Sequence, residues 1–178
     1  YSSALEKTNQ LLSQHKKENL SNEKNQDYFI SIVEGKDTIL NRNRAAHANA
    51  LVSVDVCTSF QRLIQIDRGT NETVQNALER GVFYRVVIEK PEGELCLPED
   101  IKKLVTKKNF QLKITNDKLK VNAAIFDEKM CSFSFYPSKD VVKSPMIWTN
   151  HPSIVTCFQE YFKEILRNTK KYASNKNS

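Results

Sequence analysis

Hydrophobic and polar positions along this chain follow two periods, and the switches between them mark its elements. Ser2–Asn19 is polar with a narrow apolar stripe, in which Ala4, Leu5, Thr8, Leu11, Leu12 and His15 recur at helical spacing. A stripe this thin does not pack a core; it suits pairing with another helix, which makes Leu5, Thr8, Leu11, Leu12 and His15 candidate dimerisation residues. The asparagine- and lysine-rich stretch up to Asp27 reads as a linker, and the globular pattern begins at Tyr28. There Tyr28–Val33 predicts a strand and Asp37–Ala50 a helix, with Ile39, Leu40, Ala46 and Ala50 on one face. Leu51–Cys57 predicts a buried strand, and Asn71–Arg80 a helix introduced by the polar run Gly69-Thr70-Asn71. A strand over Val82–Glu89 and a helix over Pro98–Lys108, with Pro98 in its first turn, come next.

Four strands follow: Phe110–Thr115, then Leu119–Phe126 and Met130–Tyr136 paired across Asp127-Glu128-Lys129, then Met146–Thr149. The strongest helical pattern is His151–Lys170, with Ile154, Val155, Phe158, Tyr161, Phe162 and Ile165 in register. Strands and helices alternate throughout, so the expected fold is α/β, a mixed sheet flanked by helices. The expected organisation is a linker and dimerisation helix over 1–27, one domain over 28–170 and a polar basic tail over 171–178.

Composition narrows the picture. The chain of 178 residues is 39% hydrophobic and 27% charged, which belongs to a globular protein and not to a disordered one. Its longest apolar runs, such as Ala50–Val54, fall far short of the roughly 20 residues of a membrane span, and its first residues do not have the charged-then-apolar pattern expected of a signal peptide. The absence of a methionine at Tyr1 suggests a fragment of a longer protein. Cys57, Cys96, Cys131 and Cys157 lack C-x-x-C spacing, so they are expected to be reduced structural residues in a cytoplasmic protein, with no metal site and no cofactor. The net charge of +6 suits anionic partners. Much of it lies in Lys102, Lys103, Lys107, Lys108, Lys113, Lys118 and Lys120, where Phe110 is the only aromatic residue. That is a poor nucleic-acid patch, because such patches interleave arginine and aromatics.

The stretch Lys118–Tyr136, KLKVNAAIFDEKMCSFSFY, carries the most specific pattern. It resembles a phospholipase D half-site, in which His-x-Lys-x-x-x-x-Asp lies on a strand and a turn leads to a second strand. Aligned on Asp127, the lysine position is Asn122 and the histidine position Lys120. The resemblance implies a histidine nucleophile and lysines that cradle phosphate. A lysine whose ordinary pKa is about 10.4 stays protonated and is a poor substitute for that nucleophile. His47 and His151 fall on a helix and a helix start, away from this strand.

The segment order from Tyr28 to Asn168 resembles the regulatory domain of TrmB-like archaeal transcription regulators. VEGKDTIL followed by AAHANALVSVDV is similar to that family's entry, Arg80-Gly81-Val82 with Arg85-Val86-Val87 to its middle, and Ile147–Pro152 with Phe158–Phe162 to its close. The resemblance implies a phospholipase D-like domain that senses an effector, works as a homodimer and is joined to a winged helix that binds DNA. It also implies that the chain is no enzyme. An alternative is a phospholipase D-superfamily phosphodiesterase or nuclease with an atypical active site, and another is a free-standing nucleic-acid-binding protein using the lysine cluster. Lys120, Asn122, Asp127 and Arg85 are the candidate residues for a small polar or anionic effector. Lys120 and Asn122 share a strand face and serve equally as a solvated or dimer-buried polar pair. Arg85 serves either as an internal salt bridge or as an anion contact.

Overall fold

The computed structural model describes residues 27–134 and 144–171. Within them, β1 (Ile30–Val33) leads to α1 (Lys36–Asn49), β2 (Ser53–Thr58), α2 (Phe60–Glu79) and β3 (Phe83–Glu89). Then come α3 (Glu99–Val105), β4 (Phe110–Thr115), β5 (Asn122–Phe126), β6 (Met130–Ser134), β7 (Met146–Thr149), α4 (Pro152–Arg167) and β8 (Lys170–Lys171). All eight strands form one sheet in the order β1-β7-β6-β5-β2-β3-β4-β8. At its centre β2, β3 and β4 run parallel, because α2 and α3 carry the chain back between them. The remaining neighbours are antiparallel.

The sheet is apolar on both faces, and each face has its own core. On one face α1, α2 and α3 bury Ile39, Val54, Val74, Tyr84, Val86, Ile101, Phe126 and Trp148. On the other, α4 lays Val155 and Phe162 over Cys57, Val87, Ala123, Ile125 and Cys131. Burial on both faces explains why the β3 sequence FYRVVIE reads as a nearly continuous apolar run instead of alternating. Cys57 and Cys131 are small core residues, whereas Cys96 and Cys157 are exposed; all four are free thiols.

Several expectations about elements change. The strand expected from Leu119 begins at Asn122, so Lys120 precedes it and does not share a strand face with Asn122. The helix expected over Asn71–Arg80 starts eleven residues earlier, at Phe60, where Ser59 caps it by accepting the Arg62 N–H. Gly69-Thr70-Asn71, read as its polar start, lies inside it. Pro98 is the cap of α3 and not part of its first turn. The last helix stops at Arg167, and Lys170–Lys171 instead pairs with Lys113 and Ile114 of β4. Among the described residues no helix is long and apolar enough to cross a membrane, and no cluster of histidine, cysteine and acidic residues has metal-binding geometry.

Candidate functional site

In an open α/β sheet the carboxyl ends of the parallel strands are where ligands gather, because loops there leave a crevice. Here β2 ends in Thr58 and turns at Ser59 into α2, while β3 ends in Glu89 and continues to Lys90. β5 runs antiparallel to β2, so its first residue, Asn122, arrives beside Thr58. The Thr58 hydroxyl donates to Asn122 Oδ1 at 3.0 Å, and the Ser59 N–H donates to the same oxygen at 3.1 Å. Asn122 is buried, so its carbonyl ties the start of β5 to the β2–α2 turn.

Outside this tie lies an open cleft of about 600 Å³, walled by Ser59, Phe60, Glu89, Lys90, Lys118 and Lys120 among others. Lys120 is exposed there, and its backbone N–H donates to the Tyr161 hydroxyl at 3.1 Å, which fixes the approach to β5. Lys90, Lys118 and Lys120 contribute positive charge, opposed by Glu89 and Glu92. The first turn of α2 borders the same space, and its N-terminal dipole end adds to the positive side. On the α2 side of these strands a separate cavity of about 80 Å³ has Thr58, Arg62, Asp67 and Asn122 in its walls. Burial there pushes the Asp67 carboxyl above its ordinary range.

The other two candidates lie elsewhere. Asp127 sits at the opposite end of β5, where the chain turns with positive φ at both Asp127 and Glu128. Its carboxylate accepts the N–H groups of Leu51, Val52 and Ser53 at 2.9, 2.7 and 2.9 Å. Partial burial pushes this carboxyl up, but the Ser53, Val52 and Leu51 N–H groups together outweigh it and hold the pKa below the usual carboxylate range. Arg85 stands opposite Asp55 in the parallel β2–β3 pairing and grips it with two bonds of 2.6 Å. Its guanidinium also lies over the Phe162 ring, 5.4 Å from the centroid, beneath α4. The structure therefore brings Lys120 and Asn122 to one end of the sheet, and leaves Asp127 at the other end and Arg85 under α4. Leu5, Thr8, Leu11, Leu12 and His15 fall outside the described residues.

Both described histidines are far from the cleft. His47 is buried against Tyr84, with Nδ1 3.0 Å from the hydroxyl, and burial lowers its pKa to about 4. His151 precedes α4 beside the Tyr28 ring. Thr58, Ser59, Glu89 and Lys90 did not stand out in the sequence. The signal that finds them is positional, since each follows a strand that the apolar pattern had already placed.

No protein-family model matches this sequence, and no curated protein matches it. Solved structures do. TrmBL2, an archaeal chromatin protein with its own mode of DNA binding, superposes with a TM-score of 0.63 at 16% identity. That likeness covers 96% of this chain and 66% of TrmBL2, so this chain spans about two thirds of its length. Nuc from Salmonella typhimurium, a phospholipase D family member, gives a TM-score of 0.65 at 14% identity over 83% of this chain and all of Nuc, 100%. NucT from Helicobacter pylori gives 0.65 at 13% identity over 82% and 100%. The fold is phospholipase D-like. The expectation that the chain is no enzyme does not stand: its structural neighbours include Nuc, of the phospholipase D family, and NucT.

Proposed function

We propose that this chain is the effector-sensing part of a DNA-binding transcription regulator, and that its cleft receives a small anionic ligand. The observation that carries the reading is the division of labour at the motif. Asn122 joins the β2–α2 turn, whereas Lys120 stands exposed over the cleft with Lys118 and Lys90 nearby. A cleft bordered by lysines and a helix N-terminus favours phosphate or carboxylate. The likeness to TrmBL2, which takes in more of the chain than the likenesses to Nuc and NucT, supports the regulatory setting. In that setting the domain works as a cytoplasmic homodimer, DNA is held by a winged-helix domain, and the ligand acts by favouring one arrangement of the pair.

A second reading, phosphodiester hydrolysis in the same cleft, is supported by the likeness to Nuc. One pair of measurements separates the two. Calorimetric titration with inorganic pyrophosphate is expected to give saturable binding that weakens with salt. Lys118→Ala/Lys120→Ala is expected to weaken it about tenfold, a loss of ~1.4 kcal/mol, while Lys107→Ala leaves it unchanged. Undetectable binding, or equal binding by the double variant, would remove the anion-sensing reading. Turnover of bis(p-nitrophenyl) phosphate that disappears in the double variant would put hydrolysis in its place.

A further inference from the structure

The face of the sheet under α2 is uneven, and the strand registers give the cause. One row across it is large: Phe126 of β5, Val54 of β2, Tyr84 of β3 and Phe110 of β4 stand side by side. The next row on the same face is small: Ser132 of β6, Ala124 of β5, Val56 of β2 and Val86 of β3. A helix that lies over both rows is held at the height of the larger one and leaves a gap above the smaller. The cavity of about 80 Å³ is found there, with Ala124, Val56 and Val86 on the sheet side of its wall and Leu63, Ile66 and Val74 on the α2 side. Alanine is depleted in strands, and a β-branched residue in place of Ala124 would pack against Val56 and take up part of this space.

Protein interiors are packed closely enough that voids larger than a water molecule are few, and this one exceeds twice a water's share of about 30 Å³. Its polar wall groups are largely engaged. The Thr70 hydroxyl donates to Ile66 C=O at 2.9 Å, the Asn43 amide to Ile39 C=O at 2.9 Å, and the Thr58 hydroxyl to Asn122 at 3.0 Å. His47 pairs with Tyr84, and Asp67 accepts the Asn71 amide. Arg62 is buried and has an interaction of its own. A ligand therefore meets apolar side chains, with acceptor lone pairs on Asn43 Oδ1 and Thr70 Oγ1. A charged molecule would shed its hydration against such a wall, a cost that an uncharged one avoids.

We propose that this cavity is a second binding site, which takes a small, uncharged, apolar molecule carrying at most one hydroxyl group. An apolar cavity of about 150 Å³ holds benzene or xenon, so half that volume suits xenon or a molecule of about three to four non-hydrogen atoms. Thr58 and Asn122 belong both to this wall and to the tie that borders the cleft, so the two sites share a partition and differ in chemistry. The cavity site stands whether or not the cleft binds an anion.

Xenon is the probe, because it binds through dispersion alone. Methyl NMR of the full 178-residue chain under xenon pressure is expected to show saturable shifts at Val56, Leu63, Ile66, Val74, Val86 and Ile101, which line the cavity. Methyls on the α4 face of the sheet are expected to stay in place. Ala124→Leu puts a larger side chain into the space and is expected to abolish the shifts, with circular dichroism verifying the fold. Should that variant fail to fold, Val86→Ile fills the same space with one added methyl group and the same loss is expected. Sodium acetate is expected to leave these methyls unmoved. No saturable shift in the parent chain, or shifts that persist in the filled variant, would overturn the proposal. Saturable shifts with acetate would also overturn it, and would assign the cavity to an anion beside Arg62.

Discussion

From the far end of β5, Asp127 closes the bend between α1 and β2. A loop that must bend from α1 into β2 leaves three consecutive N–H groups pointing away from any ladder, and one carboxylate takes Leu51, Val52 and Ser53 together. The Asp127 N–H also donates to Ser53 C=O at 2.8 Å, so the two strand ends are clamped in both directions. Bonds to a charged acceptor contribute more than neutral ones, and Asp127→Ala is expected to lower unfolding stability by about 2–3 kcal/mol. Chemical denaturation measures this; a loss below about 0.5 kcal/mol would mean that the loop holds itself. The turn and its acidic residue were legible because primed turns demand residues that tolerate positive φ, and aspartate is one of them. The partners of Asn122 and Arg85 were not legible. Thr58 and Asn122 are 64 positions apart, and Asp55 meets Arg85 only through the parallel register of β2 with β3.

The elements were legible to the extent that local periodicity decided them. Ile154, Val155, Phe158, Tyr161 and Phe162 forecast α4; Val155 and Phe162 are buried in the core on its face of the sheet, and the other three pack half-buried against it. α2 shows where local rules yield to packing. Gly69-Thr70-Asn71 has the composition of a turn, yet the helix runs through it. Thr70 satisfies its hydroxyl on Ile66 C=O, and Asn71 donates to Asp67, so neither competes with the helix. Gly69 is there because α1 crosses α2 at this point. A Cβ would stand 2.9 Å from both Cδ atoms of Leu40, and Arg44 donates to the Gly69 carbonyl at 2.6 Å. Gly69→Ala therefore sets a gain in helix propensity of about 1 kcal/mol against overpacking of about 1–3 kcal/mol. Overpacking is expected to win, because both branches of the buried Leu40 are in the way and rotating one brings in the other. The expected result is a net loss of about 1 kcal/mol in denaturation. In the Leu40→Ala background the same change is expected to be neutral or stabilising, a coupling that a double-mutant cycle reads directly.

At the scale of the whole molecule, acid is expected to reveal how α1 is fastened to the sheet. His47 on α1 is enclosed by Tyr84 of β3 and Phe126 of β5, with the Phe126 ring edge-on at 5.3 Å. In this site Nδ1 of the imidazole pairs with the Tyr84 hydroxyl, and a charged ring would have to be desolvated. Burial lowers its pKa from 6.5 to about 4, so between those values the unfolded chain binds the proton and the folded chain does not. The contribution to stability is therefore complete above about pH 6.5 and is lost as pH falls toward 4, amounting to roughly 3 kcal/mol. Asp127 acts in a lower window. Its pKa is depressed in the fold, so its contribution persists above the ordinary aspartate value and disappears as acid passes through the folded one. Unfolding free energy measured against pH is thus expected to decline in two steps, the upper due to His47 and the lower in part to Asp127. His47→Gln removes the titration and is expected to flatten the curve between pH 6.5 and 4 whatever it costs at neutral pH; a slope as steep as that of the parent would place the upper step on another group.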